Sequence, residues 1–323
     1  MKISSKKSIN FNDVNLLSIK PTIIKSRDEI IFNNNRIIAA PMSAIMGHSF
    51  VKKAAQLGIS LPIHRFCTVE EQQELLQIAI ENKTLFKTKS LLWLCVGLHD
   101  YKRRIEKNID VLKENNVGIL LDVANGFHLE VKDCMQELKK YECNNIFTGN
   151  IHTLSGWKFL EDVGSDFIRA GIGNGAACST TNNTGIGRGQ ITIVDEIYND
   201  GVFRSAELVS DGGIKEPGDA AKAFAAGADY VMIGSMFSYA NEAACNDTGH
   251  GIFYGGASKT AKNLMHQKTK NIEGKELSID QTKLKSLEEI VQELSDGIKS
   301  SISYCGFSCI ESFIGQGVFE IKI

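Results

Sequence analysis

Eight short apolar runs, each followed by a turn and a polar-apolar helical stretch, recur between residues 36 and 236. They read IIAAPM (37–42), ISLPI (59–63), LLWLCVG (91–97), GILLDVA (118–124), NIFTGN (145–150), DFIRAGI (166–172), ELVSDG (207–212) and YVMIGS (230–235). Runs this brief and this dense, with little alternation, belong to strands covered on both faces. The stretches between them carry helix signals. TVEEQQELLQIAIEN (68–82) opens on Thr68 with Glu71 three residues on, a capping box, and EPGDAAKAFAAGA (216–228) spaces Ala and Phe helically before Gly227. Eight strands alternating with helices predict an α/β chain of the (β/α)8 barrel type, one domain over residues 1–323. A doubly wound sheet is the alternative and normally needs fewer strands.

In a barrel, chemistry sits on the loops after the strands' C-terminal ends. Several runs end there in polar or glycine residues: Asp122 and Asn125, Asn150, the stretch GIGNGAACSTTNNTGIGRGQ (171–190), Asp211-Gly212-Gly213, and Gly234-Ser235. Residues 241–300 are rich in Asn, Lys and Gly and show no clear strand. So long an insertion before a last helix near 301–315 reads as an active-site flap.

Composition narrows the function. With 36 basic and 38 acidic residues, the net charge of −2 leaves no footprint for nucleic acid or an anionic membrane. No apolar run approaches the roughly 20 residues of a membrane span, and the N-terminal stretch lacks the apolar core of a signal peptide. The eight cysteines are scattered without a C-x-x-C pair, as expected of reduced thiols in a cytoplasm. Cys305 and Cys309, four apart on an expected helix, suit core packing better than zinc.

Two features point to a site. Glycines after the seventh and eighth runs, in SDGG and IGS, let backbone amides approach an anion where such barrels bind phosphate, and Asp211 stands where a ribose diol could be read. Plain strand-to-helix turns would look the same one at a time; two in adjacent loops favour a nucleotide or sugar phosphate. The second feature is Cys178, inside a loop with glycines at 171, 173, 175, 185, 187 and 189. Such a loop can turn its dipoles on a thiolate, and its carbonyls could cage a monovalent cation. A small residue buried in a turn is the ordinary alternative for Cys178. Thr180 and Thr181 could cap the loop or orient a leaving group.

The Cys178 loop, LLDVANG (120–126), LVSDGGIKEPGDAAKAFAAGADYVMIGSMF (208–237), FYGGAS (253–258) and the N-terminal FNDVNLLSIKPTIIKSRDE together resemble the IMP dehydrogenase/GMP reductase family, in order and over nearly the whole chain. The resemblance implies a homotetrameric barrel in which a cysteine, here Cys178, attacks C2 of a purine nucleotide monophosphate beside a nicotinamide cofactor. It implies carbonyls of Gly173, Gly175 and Cys178, with Thr181, around a potassium-like cation. Asp211, Gly212, Gly213, Gly234 and Ser235, with Gly255, Gly256, Ala257, Lys270 and Gly274 of the flap, would hold the nucleotide. Asp122, Val123, Ala124, Ile172, Gly173 and Arg65 would line the cofactor side, and Ser26 and Arg27 would reach a neighbouring subunit's cofactor.

Within the family, the regulatory module of dehydrogenases is absent between the third and fourth runs, and no Arg-Tyr pair occurs anywhere in the chain. The flap reads KNIEGKELSID (270–280), similar to the reductases' Glu-Gly-Lys, which aligns Glu273 with the acid that works with Thr180 on departing ammonia. An exposed loop acid is the other reading of Glu273. The expected activity is therefore NADPH-dependent reduction of GMP to IMP. The alternatives are a dehydrogenase lacking its module, a relative acting on a deoxy- or modified guanine nucleotide, and a non-catalytic nucleotide-binding barrel. The chain departs from the family pattern at Asn174, Ala176, Gly256, Ala257, Lys270 and Arg65.

Overall fold

The computed structural model describes residues 7–201, 203–247, 251–256, 258–264 and 274–322. Each apolar run forms a strand: β1 (Ile37–Ala39), β2 (Leu61–Ile63), β3 (Leu92–Val96), β4 (Gly118–Leu121), β5 (Ile146–Ile151), β6 (Phe167–Ala170), β7 (Glu207–Asp211) and β8 (Tyr230–Ile233). All pair in parallel, in the order β1-β8-β7-β6-β5-β4-β3-β2. The ring closes at Ile38 and Ser60, where the Ala39 N–H donates to the Ser60 carbonyl at 3.0 Å and the Ser60 N–H to the Ile37 carbonyl at 2.9 Å. The expected (β/α)8 barrel is the observed fold.

Its helices are α1 (His48–Gln56), α2 (Val69–Leu85), α3 (Tyr101–Glu114), α4 (Leu129–Leu138), α5 (Leu154–Asp162), α6 (Gln190–Tyr198), α7 (Pro217–Ala225) and α8 (Leu287–Tyr304). The capping box of α2 forms as the sequence predicts: Thr68 Oγ1 accepts from the Glu71 N–H at 3.1 Å and Glu71 Oε2 from the Thr68 N–H at 2.8 Å. Outside the ring, Val14–Leu16 pairs antiparallel with Phe319–Ile321 and ties the two ends of the described chain together.

The two faces of the strands explain the weak alternation. Outward residues such as Ile37 and Ala39 pack beneath the helices, while Ile38, Ala40, Trp93, Cys95, Leu120, Phe147, Phe167, Val209 and Met232 fill the barrel. Trp93 meets Phe147 and Phe167 at centroid distances of 5.2 Å each and donates through Nε1 to the Asn145 carbonyl at 3.0 Å. Aromatic side chains therefore plug the barrel interior.

The segment after β8 departs from expectation. Where no clear strand was expected across 241–300, Ile252–Tyr254 pairs antiparallel with Glu276–Ser278, and α8 begins at Leu287, ahead of the helix expected near 301. A capping box starts this helix, Ser286 Oγ accepting from the Glu289 N–H, and its face of Leu287, Ile290, Val291, Leu294 and Ile298 is buried. That 3.6-residue period was legible but masked by the polar residues around it. Near 301–315 only Ile310–Phe313 is helical after α8 ends. Cys305 closes α8 and Cys309 precedes the next turn, so the two do not share a helix face.

Candidate active site

At the C-terminal mouth of the barrel lies a cavity of about 260 Å³. Its walls are Cys178 and Thr180 with Gly175–Ala177, the Asp211–Ile214 turn, Gly234 and Ser235, and Phe253, Gly255, Gly256 and Gly274 of the flap. Ala40, Met42, Ala124 and Met232 complete it.

The cysteine loop is shaped by close backbone packing. At Gly171 (φ +144°) a Cβ would overlap the Asp211 carbonyl, and at Gly173 (φ +87°) it would overlap the Thr181 hydroxyl, so only glycine suits either place. Thr181 Oγ1 in turn donates to the Ile186 carbonyl at 2.9 Å, folding the loop's return limb onto its start. A turn of helix, Thr180–Thr184, follows the cysteine and ends on Gly185 in the left-handed region. The Cys178 N–H donates to the Gly175 carbonyl at 3.0 Å, and the thiol donates to Thr180 Oγ1 at 3.2 Å.

Two anchors hold this loop. Asn174 Nδ2 donates to the Arg188 carbonyl at 2.8 Å and to Gln190 Oε1 at 2.7 Å. Gln190, fully buried at the start of α6, donates through Nε2 to the Ala170 carbonyl at 2.7 Å and to Ser210 Oγ at 3.0 Å, binding the loop to β6 and β7. On the other side the flap docks directly. Cys178 and Gly274 form an antiparallel bridge, and the Lys275 N–H donates to the Ala177 carbonyl at 2.8 Å.

Charge is concentrated in four side chains. Arg169, pointing inward from β6 and 5% exposed, donates to Asp122 Oδ1 at 2.6 Å and stands 3.8 Å from Asp211 Oδ2. Arg65 Nε lies 3.4 Å from Asp122 Oδ2, within ion-pair range but outside hydrogen-bond geometry. Asn150 Nδ2 donates to Asp211 Oδ2 at 2.7 Å and to the Gly171 carbonyl at 2.8 Å. Burial acts to raise the Asp122 carboxyl, but the two guanidiniums outweigh it and hold it below the ordinary carboxylate range. Burial prevails at Asp211, which sits above that range despite Arg169 and Asn150.

Cysteine environments divide clearly. Burial pushes the Cys67 and Cys134 thiols up to about 12 and Cys245 to about 11, so each stays protonated at neutral pH. Cys178 is the cysteine that lines the cavity.

A family model described as IMP dehydrogenase/GMP reductase domain matches residues 11–322. The chain belongs to the IMP dehydrogenase/GMP reductase family. It is similar to proteins named GMP reductase from Onchocerca volvulus (27% identical, covering 98% of this chain and 92% of that protein) and Buchnera aphidicola (27%, covering 99% and 95%). A GMP reductase of Vibrio cholerae is 26% identical, covering 95% and 92%.

Against the expectations for a member of this family, the structure gathers Cys178, Thr180, Gly175, Asp211, Gly212, Gly213, Gly234, Ser235, Gly255, Gly256, Gly274 and Ala124 around one cavity. Asp122 and Arg65 meet each other and Arg169. Val123 packs on the core, and Ile172 is buried. Gly173 and Thr181 brace the loop from behind the cysteine. Ser26 and Arg27 do not line the cavity; they form an exposed turn where Arg27 pairs with Asp296 at 3.4 Å. Ala257, Lys270 and Glu273 lie outside the described residues. Among the described residues no cluster of three or more His, Cys, Asp or Glu side chains could hold a metal ion, Cys305 and Cys309 included.

Sequence reasoning passed over Arg169 and Gln190. Arg169 had a signal, a basic residue in the middle of the apolar run DFIRAGI. Gln190 had none, since a glutamine opening a helix is ordinary.

Proposed function

We propose that this protein is a GMP reductase, an oxidoreductase that converts GMP and NADPH to IMP, ammonia and NADP. The observation that carries the reading is a single cavity with Cys178 and Thr180 on one wall and the Asp211–Ile214 and Gly234–Ser235 turns on another. The first wall can attack a purine; the second can hold ribose and phosphate. The names of the similar proteins point the same way.

Glycine amides of 212, 213 and 234, with the Ser235 hydroxyl, would receive the phosphate oxygens, and Asp211 would accept the ribose hydroxyls. Held so, the base presents C2 to the Cys178 sulfur. The thiol would pass its proton to the base as the C2–S bond forms and the C2=N3 double bond opens; the C2–N2 bond would then break as the amine takes up a proton and leaves as ammonia, restoring that double bond. Thr180, 3.2 Å from the sulfur, would carry a proton to the departing amine, and Glu273 would serve as the acid that works with it. When bound, NADPH would supply hydride chemistry at C2, and release of the Cys178 sulfur as thiolate would give IMP. Asp122, two residues before the cavity-lining Ala124, is ion-paired with Arg65, and the two offer an acceptor and donors that would fit a carboxamide of the cofactor. The flap, bridged to Cys178 through Gly274, would close over the base and exclude water.

A monovalent cation fits the back of the loop. Its donors would be the neutral carbonyl oxygens of Gly173, Gly175 and Cys178 and the Thr181 hydroxyl, the Gly175 oxygen already accepting from Cys178 N–H and keeping a second lone pair. The cation would stiffen the turn that presents the sulfur. Assembly as a homotetramer would bring Ser26 and Arg27 to a neighbour's cofactor. All eight cysteines are free, which suits a cytoplasmic enzyme. Among the described residues no helix is long and apolar enough to cross a membrane.

The test follows absorbance at the nicotinamide band with two substrate pairs. Oxidation of NADPH that requires GMP is expected. Turnover with IMP and NAD alone would identify a dehydrogenase, and no turnover with either pair would point to a deoxy- or modified guanine nucleotide or to a non-catalytic binder.

A further inference from the structure

Arg169 is buried to a degree its hydrogen bonds do not justify. Its side chain is 5% exposed, yet it has one short bond, to Asp122, a sulfur contact to Met232 at 3.7 Å, and an Nε with no partner. Buried guanidinium donors are normally satisfied. What the position achieves is reach: from β6 the one guanidinium touches Asp122 at the end of β4 and stands 3.8 Å from Asp211 at the end of β7. Asp211 Oδ2 faces Arg169 and Asn150, while among the described residues no donor reaches Oδ1, and Asp211 lines the cavity. Arg65 and Arg169 against Asp122 and Asp211 make the group of four electrically neutral. Without Arg169, Asp122 would keep Arg65 and, among the described residues, Asp211 would have no ion-pair partner.

We propose that Arg169 is a positioning residue that holds Asp211 with one carboxylate oxygen turned into the cavity, so that the site selects a ribonucleotide by its 2′-hydroxyl. The inference rests on the reading of Asp211 as the ribose acceptor. The groups facing Asp211 are Arg169 from β6, Asn150 from β5, Asp122 from β4 and, across the cavity, the Cys178 thiol; β8 contributes Met232, which is uncharged. Burial raises the Asp211 carboxyl, Arg169 and Asn150 oppose that rise, and the Asp122 charge adds to it. Loss of Arg169 therefore lets Asp211 take up a proton at higher pH, and a protonated acid accepts the diol poorly.

The experiment is calorimetric titration of the purified protein with GMP and with 2′-deoxy-GMP between about pH 6 and 8. The wild type should bind GMP about tenfold or more tightly than the deoxynucleotide, the size of a hydrogen bond to a charged group. In Arg169→Met that ratio should fall to about twofold through weaker GMP binding, with deoxy-GMP affinity little changed, and GMP affinity should fall as the pH is lowered. Arg169→Lys, which keeps a charge but cannot span both carboxylates, should lie between and serves if the methionine variant does not fold. A wild-type ratio and a flat pH profile in whichever variant folds would show Arg169 to be core filling and overturn the inference alone. Failure of the wild type to bind GMP, or to prefer it, would overturn the underlying reading of Asp211.

Discussion

The Cys178 thiol lies 3.2 Å from the Thr180 hydroxyl, across the start of a single helical turn whose last threonine, Thr184, donates back to the Thr180 carbonyl at 2.7 Å. Backbone and side chain thus fix the spacing between the thiol we propose as nucleophile and the hydroxyl we propose as proton relay. Cys178→Ala should lower turnover with GMP and NADPH by at least about a thousandfold while GMP still binds. Thr180→Ala should cost about a hundredfold in kcat with KM little changed, and Thr180→Ser should recover most of it. Steady-state kinetics with calorimetry on the same variants measures both; undiminished turnover in Cys178→Ala removes covalent catalysis.

Gly173 and Thr181 occupy one space, since a side chain on Gly173 would overlap the Thr181 hydroxyl. Gly173→Ala should displace the loop and reduce kcat about tenfold or more. Adding Thr181→Ala should recover part of that loss, the residue being the strain of alanine at φ +87°. A double-mutant cycle in kcat reads the coupling, and strict additivity would count against the shared-space account.

Gln190→Ala would take a partner from the Ala170 carbonyl, Ser210 Oγ and Asn174 Nδ2 at once, Asn174 keeping its bond to the Arg188 carbonyl. Each is a buried or half-buried polar group losing a partner, so urea unfolding should show a loss of about 2–4 kcal/mol. The loop would loosen as well, and kcat should fall more than KM rises. A stability change under about 0.5 kcal/mol would mean that water replaces the amide.

His64, buried at the end of β2, accepts from the Phe66 N–H through Nδ1 at 3.2 Å, and burial holds it neutral down to about 4. Its folded value lies below that of the unfolded chain, so the unfolded state takes the proton first as pH falls. The stability tied to neutral His64 is complete above about pH 6.5 and is lost between there and about 4, a span worth about 3 kcal/mol. Urea midpoints across that range should fall less steeply for His64→Gln than for the wild type, and parallel slopes would rule the histidine out as the cause.

Local chemistry made much of this protein readable in advance. Eight apolar runs were enough for the barrel, because a strand buried on both faces has few residues it can use. The turn after β7 and the cysteine loop were readable because positive φ at Gly212, Gly213, Gly171 and Gly173 demands glycine there. The hairpin and the early start of α8 were harder, since polar residues surround short apolar patterns in that segment. What no local pattern could give was adjacency. Arg169 and Asp211 lie on β6 and β7 and Asp122 just past the end of β4, and only assembly of the sheet sets one guanidinium between two carboxylates. Gln190 became an anchor only once α6 began beside the ends of β6 and β7. The sequence by itself determined the strands, their order of appearance and the loop that carries Cys178. Tertiary structure alone decided which buried charges meet, because the energy of a buried ion depends on neighbours brought from far along the chain.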